Sequence, residues 1–145
     1  QVAELLRTHP DARLAEPSED RIANEPGVRV VCTPALPTRD QRLATAWLVR
    51  HVVEALEGGR YDAIVLVGGD GALAVLDELH AQGIQVTGRL SAGVPRGVVI
   101  GGLADGLPIV TRSGGFGDAR ALVDTIHRLR NNPNATASPE QKERR

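Results

Sequence analysis

The sequence predicts an α/β protein: a three-layer, sandwich-like arrangement with a mixed, mostly parallel sheet flanked by helices. The run Ile64-Val65-Leu66-Val67 is unbroken aliphatic, as suits a strand buried on both faces of a parallel sheet. It stops abruptly in Gly68-Gly69-Asp70-Gly71, and Ala72, Val75, Leu76 and Leu79 follow at the spacing of one helical face. The same order of strand, glycine turn and helix returns around Arg112-Ser113-Gly114-Gly115-Phe116-Gly117-Asp118.

Taken from the start, Gln1 to His9 reads as a helix with Val2, Leu5 and Leu6 on one side, ended by Pro10. Residues 11–27 are polar and read as a connection, with room for one short strand at Arg13-Leu14-Ala15. Val28 to Thr33 suits a strand, and Pro34 and Pro37 punctuate a loop. A helix is expected from about Asp40 to Leu56, buried through Leu48, Val49, Val52, Ala55 and Leu56 and ended by Gly58-Gly59. Trp47 falls off that stripe and is expected to cover an edge of the core. Gly83 is read as the C-terminal stop of the helix after the first glycine turn. Strands follow at Ile84–Leu90, Gly97–Ile100 and Leu107–Thr111, the last two too close in sequence for a parallel crossover. They should form a hairpin. The final helix presents Ala119, Leu122, Val123, Ile126 and Leu129, and Asn131-Asn132-Pro133 stop it.

The chain of 145 residues suits one domain, residues 1–130, with a polar and charged tail over 131–145 expected to be disordered. A formal net charge of −1 and 2% aromatic residues supply neither the electrostatic footprint nor the stacking platform of a nucleic-acid binder. No apolar run approaches the roughly 20 residues that span a bilayer. Cys32 is the single cysteine and is expected to be a buried thiol, which fits a reducing cytoplasm. The chain begins at Gln1 and contains no methionine, as a piece of a longer protein would.

Chemistry is expected at the two glycine turns. A helix N-terminus carries roughly half a positive charge and outward-pointing N–H groups, so it holds phosphate, and glycine lets the ligand approach the backbone. In an open α/β sheet, ligands bind beyond the carboxyl ends of the strands. The two turns are therefore expected to face one another across one crevice. That crevice would offer the N–H groups of Gly68, Gly69 and Gly71, the Asp70 carboxylate, the Arg112 guanidinium and the Ser113 hydroxyl. Asp70 beside phosphate calls for a cation such as Mg²⁺; alternatively it is a helix N-cap. Arg112 is alternatively a surface residue, and Ser113 a turn former. His9, His51, His80 and His127 fall on separate helices without metal-ligand spacing and are expected at the surface or its rim. Asp77 and Glu78, adjacent on a helix, belong to a solvated face. The Walker-type phosphate loop is absent.

Three motifs in this order and spacing are more specific than one glycine turn: Gly68-Gly69-Asp70-Gly71-Ala72, then Ala92-Gly93-Val94-Pro95, then Leu107 through Asp118. Together they resemble the C-terminal nucleotide-binding domain of the four-carbon acid sugar kinase family, over nearly the whole chain to about Arg130. The resemblance implies an ATP site, with phosphates on the backbone of Gly68, Gly69 and Gly71, Mg²⁺ or its waters on Asp70, and the nucleotide's other wall at Arg112, Ser113, Gly114 and Gly115. It implies γ-phosphoryl transfer to a four-carbon sugar acid of the threonate, erythronate or oxo-tetronate class, held mainly by an N-terminal domain that precedes the matched region. It identifies no catalytic base. Family members usually have threonine where Gly71 stands and lysine where Arg112 stands. Two other readings remain beside it: a non-catalytic nucleotide-binding module, and a kinase of the NAD or lipid type, whose nucleotide motif also resembles Gly-Gly-Asp-Gly.

Overall fold

The structure, a computed structural model, describes residues 1–15, 26–33, 41–115 and 117–131. The expected Pro34–Pro37 loop, residues 16–25 of the expected connection, Phe116 and residues 132–145 of the expected tail lie outside these. The elements are α1 (Val2–Thr8), β1 (Ala12–Leu14), β2 (Val28–Val30), α2 (Gln41–Gly58), β3 (Ile64–Val67), α3 (Gly69–Glu78), β4 (Gly83–Ser91), β5 (Val94–Ile100), a 3-10 turn (Gly102–Ala104), β6 (Pro108–Arg112) and α4 (Ala121–Asn131).

The α/β class with sheets between helices is as expected. Strands β3, β6, β5 and β4 form one sheet in that spatial order, and β1 and β2 form a parallel pair of their own. Alternation along β3 shows the layering. Ile64 and Leu66 pack with Val75, Leu79, Val99 and Ile109 beneath α2 and α3, whereas Val65 packs with Leu5, Val30, Leu122 and Ile126 beneath α1 and α4. Strand side chains point alternately to the two faces, so covering both faces asks for aliphatic residues at every position. The run Ile64–Val67 meets that demand.

Two expectations are corrected. β3 pairs parallel with β6, but β6 pairs antiparallel with β5 and β5 antiparallel with β4, so two of this sheet's three pairings among the described residues are antiparallel and it is not mostly parallel. The expected hairpin at β5–β6 is present, and a tighter one joins β4 to β5 through Ala92 and Gly93, where the sequence reading placed only a connection. β3 also lies at an edge of its sheet among the described residues. Helices cover both faces of this edge strand over Ile64, Val65 and Leu66, whereas Val67 at its end is 42% exposed.

Element ends differ in instructive ways. α3 stops at Leu79, and the left-handed residue after it is His80 (φ 54°) rather than Gly83, which opens β4. Gly102 explains the tight packing at that end: a Cβ on it would lie 2.0 Å from the Leu79 carbonyl oxygen, so the 3-10 turn closes against the helix terminus only with glycine there. α4 begins at Ala121, leaving Ala119 exposed, and includes Asn131. His51 is buried at 8% exposure, not at the surface; its Nδ1–H donates to the Trp47 carbonyl at 2.8 Å and its ring stacks on the half-buried Trp47 at 4.0 Å. Cys32 is half-buried against the α1/α4 core, and burial pushes its thiol pKa up, which keeps it protonated and inert. Asp77 and Glu78 are exposed as expected.

Ile109, 1% exposed at the centre of the α2/α3 core, is expected to cost about 2–5 kcal/mol when cut to alanine. Leu103, 62% exposed, should change stability by about 0.5 kcal/mol or less on the same substitution. Chemical denaturation of both variants checks the contrast, and equal losses would show that the core lies elsewhere.

The Arg130 guanidinium ties the end of α4 to Asp11 before β1 and holds that carboxyl below its ordinary 3.8. A carboxylate with a depressed pKa contributes stability that is fully present above its unfolded value and is lost as pH falls through the folded one. Both side chains are about 40% exposed, so the contribution is at most about 1 kcal/mol. Arg130→Gln is expected to lower the melting temperature slightly at neutral pH, with the gap to the parent closing in acid once Asp11 is protonated in both states.

Candidate nucleotide-binding site

Strand direction decides where the three glycine motifs fall. β3 and β6 run parallel with Val67 opposite Arg112, so the first and third turns leave the sheet at the same level. β5 runs the other way, with Arg96 opposite Val110, so the β4–β5 turn at Ala92-Gly93 comes to that same end. All three motifs thus sit on one rim of the sheet, at the carboxyl ends of β3 and β6. Neither glycine turn alone determines this; it follows from one parallel and one antiparallel pairing.

At the first turn Gly68 is the residue before α3, at φ 95°, a left-handed conformation that favours glycine. Its N–H donates to the Arg112 carbonyl at 3.0 Å, fastening the first turn to the strand that leads into the third. The N–H groups of Gly69, Asp70 and Gly71 lie in the first turn of α3 and have no acceptor within the helix. A Cβ on Gly69 would meet nothing within 4 Å, so the space above it is open. Gly71 has a different reason to be glycine: a Cβ there would lie 3.1 Å from Leu48 Cδ2, so α3 sits close against α2. Asp70 is exposed within the helix's first turn and is not the N-cap, since Gly68 holds that position without a side-chain cap. The N-cap reading of Asp70 is therefore replaced by a carboxylate free to face solvent at the rim.

At the third turn Arg112 is buried at 7% exposure, which overturns its alternative reading as a surface residue. Its guanidinium lies under Gly117, where φ is 89° and a Cβ would come within 2.9 Å of Arg112 Nη2 and 2.6 Å of Ala121 Cβ. Ser113, Gly114 and Gly115 are exposed above it. Asp118 shapes the turn before α4: its carboxylate accepts from the Arg120 N–H at 2.9 Å, an Asx turn. The Gln1 side chain donates to the Gly117 carbonyl at 3.3 Å, so α1 also begins at this rim.

The first and third turns do not face each other across a crevice, as expected from sequence. They abut: a Cβ on Gly114 would lie 3.6 Å from Gly68 Cα. The cleft opens on the other side of the third turn, between it and the β4–β5 turn, with a volume of about 470 Å³. Ser91, Gly93, Arg112, Ser113, Asp118 and Arg128 are among its walls. Sequence reasoning did not single out Asp124, Thr125 and Arg128, which line it from α4. Their positions within one turn of each other on a helix that follows a glycine motif were the available sign. Gly68 to Gly71 lie across the Ser113-Gly114 backbone from this cleft.

The structure thus joins a glycine-rich rim on an α/β sheet to a helix N-terminus, a buried arginine and an adjoining cleft. Residues 5–122 match the family described as the nucleotide-binding C-terminal domain. The chain belongs to that family, the C-terminal domain of four-carbon acid sugar kinases. It is similar to a D-threonate kinase of Bordetella bronchiseptica, 46% identical over 67 residues, and to one of Salmonella typhimurium, 33% identical over 72 residues. These matches cover 46% and 50% of this chain but 16% and 17% of those proteins. A crystal structure of a domain of unknown function from B. bronchiseptica, a domain-swapped dimer with bound citrate, superimposes with a TM-score of 0.61 at 33% identity. The likeness spans 72% of this chain and 27% of that one. A second crystal form gives a TM-score of 0.62.

Gly69→Val tests the rim. Gly69 lacks positive φ and its Cβ position is empty, so valine fits the fold, while its side chain fills the space a phosphate needs. The expected result is a loss of ATP affinity of about tenfold or more by calorimetry, with a melting temperature close to the parent's. Unchanged affinity would remove the phosphate role of this turn.

Proposed function

We propose that this chain is the ATP-binding part of a kinase that transfers the ATP γ-phosphoryl group to a hydroxyl of a four-carbon sugar acid of the threonate class. The observation that carries the proposal is the convergence of all three glycine motifs on one rim. Kinship with D-threonate kinases supplies the substrate class. In this reading the phosphates take the free N–H groups of Gly69, Asp70 and Gly71, and the rest of the nucleotide passes over Ser113 toward the cleft beside Arg112.

The residues present fit ATP with Mg²⁺. Mg²⁺ keeps several waters and is commonly held by one or two carboxylates together with substrate phosphates, and Asp70 is an exposed carboxylate beside the phosphate donors. Bound there, the ion would neutralise charge on the phosphates. Arg112, fixed from below by burial under Gly117, adds a positive charge that cannot be titrated away. Phosphoryl transfer is governed by positioning and charge neutralisation, and these residues supply both for the donor. The acceptor hydroxyl and its base are assigned to the part of the kinase that holds the sugar acid. A cytoplasmic setting, where ATP is plentiful, accompanies this proposal; among the described residues no helix is long and apolar enough to cross a membrane.

A non-catalytic nucleotide module is the second reading, favoured by Gly71, which lacks the hydroxyl usual in the family. The discriminating experiment assays this chain with ATP, Mg²⁺ and a panel of four-carbon sugar acids, alone and joined to a sugar-acid domain. Alone, it is expected to bind ATP weakly and to release ADP without dependence on the acid, because orienting the acceptor contributes about 7–11 kcal/mol to such reactions. Joined, it should show acid-dependent turnover. ATP binding without turnover in the joined protein would establish the module instead.

A further inference from the structure

We infer that the trough between β4 and the C-terminal half of α4 is a second anion site, separate from the nucleotide cleft, for a small polyanion bearing two or more carboxylates or phosphates. The trough holds about 500 Å³ and is lined by Arg89, Arg96, Arg128, His127, Asp124 and Asn131 among others. Three guanidiniums thus meet one carboxylate in a chain whose formal net charge is −1. Among the described residues none of the three arginines forms an ion pair.

The local backbone is built around these side chains. Pairing of β4 with β5 slips twice, between Val86 and Gly88 and between Arg89 and Ser91, so irregularities bracket Arg89 on both sides. Such bulges bend a strand and re-aim its side chains. Glycine in a strand interior weakens the strand and often marks the close approach of another group. At Gly88 that group is Arg96: a Cβ there would lie 3.2 Å from Arg96 Nε and 3.5 Å from Nη2. Arg96 Nε is buried and has no acceptor among the described residues. A buried donor left unpaired is costly, and an arriving carboxylate or phosphate oxygen removes that cost.

Arg128 sets the boundary with the nucleotide cleft. It lines both spaces, and its Nη1 donates across to the Leu90 carbonyl at 3.3 Å. The His127 ring is held by the Asn131 amide at the far end. The fork of each guanidinium matches two oxygens of a carboxylate or phosphate, which favours compact multivalent anions over single-charge ions. Nucleic acid is disfavoured by the 2% aromatic content.

The test titrates the 145-residue chain with pyrophosphate and with tricarballylate in low-salt buffer, by calorimetry and by thermal shift. Saturable binding of either is expected, weakened about tenfold in Arg96→Gln and in the surface variant Arg89→Gln, with parent-like melts in the absence of anion. Pyrophosphate alone points to phosphorylated ligands, and tricarballylate alone to polycarboxylates. Gly69→Val should lower ATP affinity and leave this binding intact, so failure of the nucleotide reading and failure of this one look different. No saturable binding of either probe, unchanged affinity in both arginine variants, or loss of the binding in Gly69→Val would each overturn the separate site.

Discussion

The parallel pairing of β3 with β6 is the constraint on which the site depends. Its register sets Val67 opposite Arg112, and the Gly68 N–H to Arg112 carbonyl bond extends the ladder one step beyond the strands. Shifting the pairing by one residue would turn Ile64 and Leu66 away from the α2/α3 core and Val65 away from the α1/α4 core. Burial on both faces therefore locks the register, and the locked register brings two glycine turns into contact. The free N–H groups of α3 are aimed by the same packing that buries Val75 and Leu79.

The seam between the sheet and α4 is unusual in what it buries. Arg96 and Arg112 lie on the face of β5 and β6 that also carries Val98 and Val110, the face under α4, and Arg112 is as buried as many core aliphatics. Removing charge from water is expensive, so an inward-facing guanidinium is expected to be compensated by hydrogen bonds and anionic neighbours. The two clefts flank Arg128 along this seam. Arginine along this seam underlies both readings, buried at Arg112 beside one cleft and half-buried to exposed at Arg96, Arg89 and Arg128 around the other.

The glycines of the rim serve different ends. Gly68 and Gly117 satisfy backbone conformation, Gly71 allows close packing against Leu48, Gly114 has ordinary contact with Gly68, and Gly69 and Gly115 leave space open. The absence of a threonine at Gly71 accordingly has a packing consequence as well as a chemical one, since a side chain there must displace Leu48 by a few tenths of an ångström.

Sequence by itself determined the α/β class, the strand and helix around Gly68-Gly71, the β5–β6 hairpin and the family, because unbroken aliphatic runs, helical spacing and ordered glycine motifs are local patterns. It also placed Arg112 and Ser113 at the turn that the structure sets beside the cleft. It did not determine that β3 lies at the edge of its sheet among the described residues, that two of that sheet's three pairings are antiparallel, or that the motif turns abut instead of facing each other. Those depend on which strands pair, a non-local outcome decided by how both faces of the sheet are covered. Nor did sequence reveal the burial of Arg112 and His51 or the cleft role of Arg128. A charged residue looks solvated in any local window, and only the packing of α4 over β5 and β6, and of α2 over its own neighbours, takes Arg112 and His51 out of water and sets the exposed Arg128 beside the cleft.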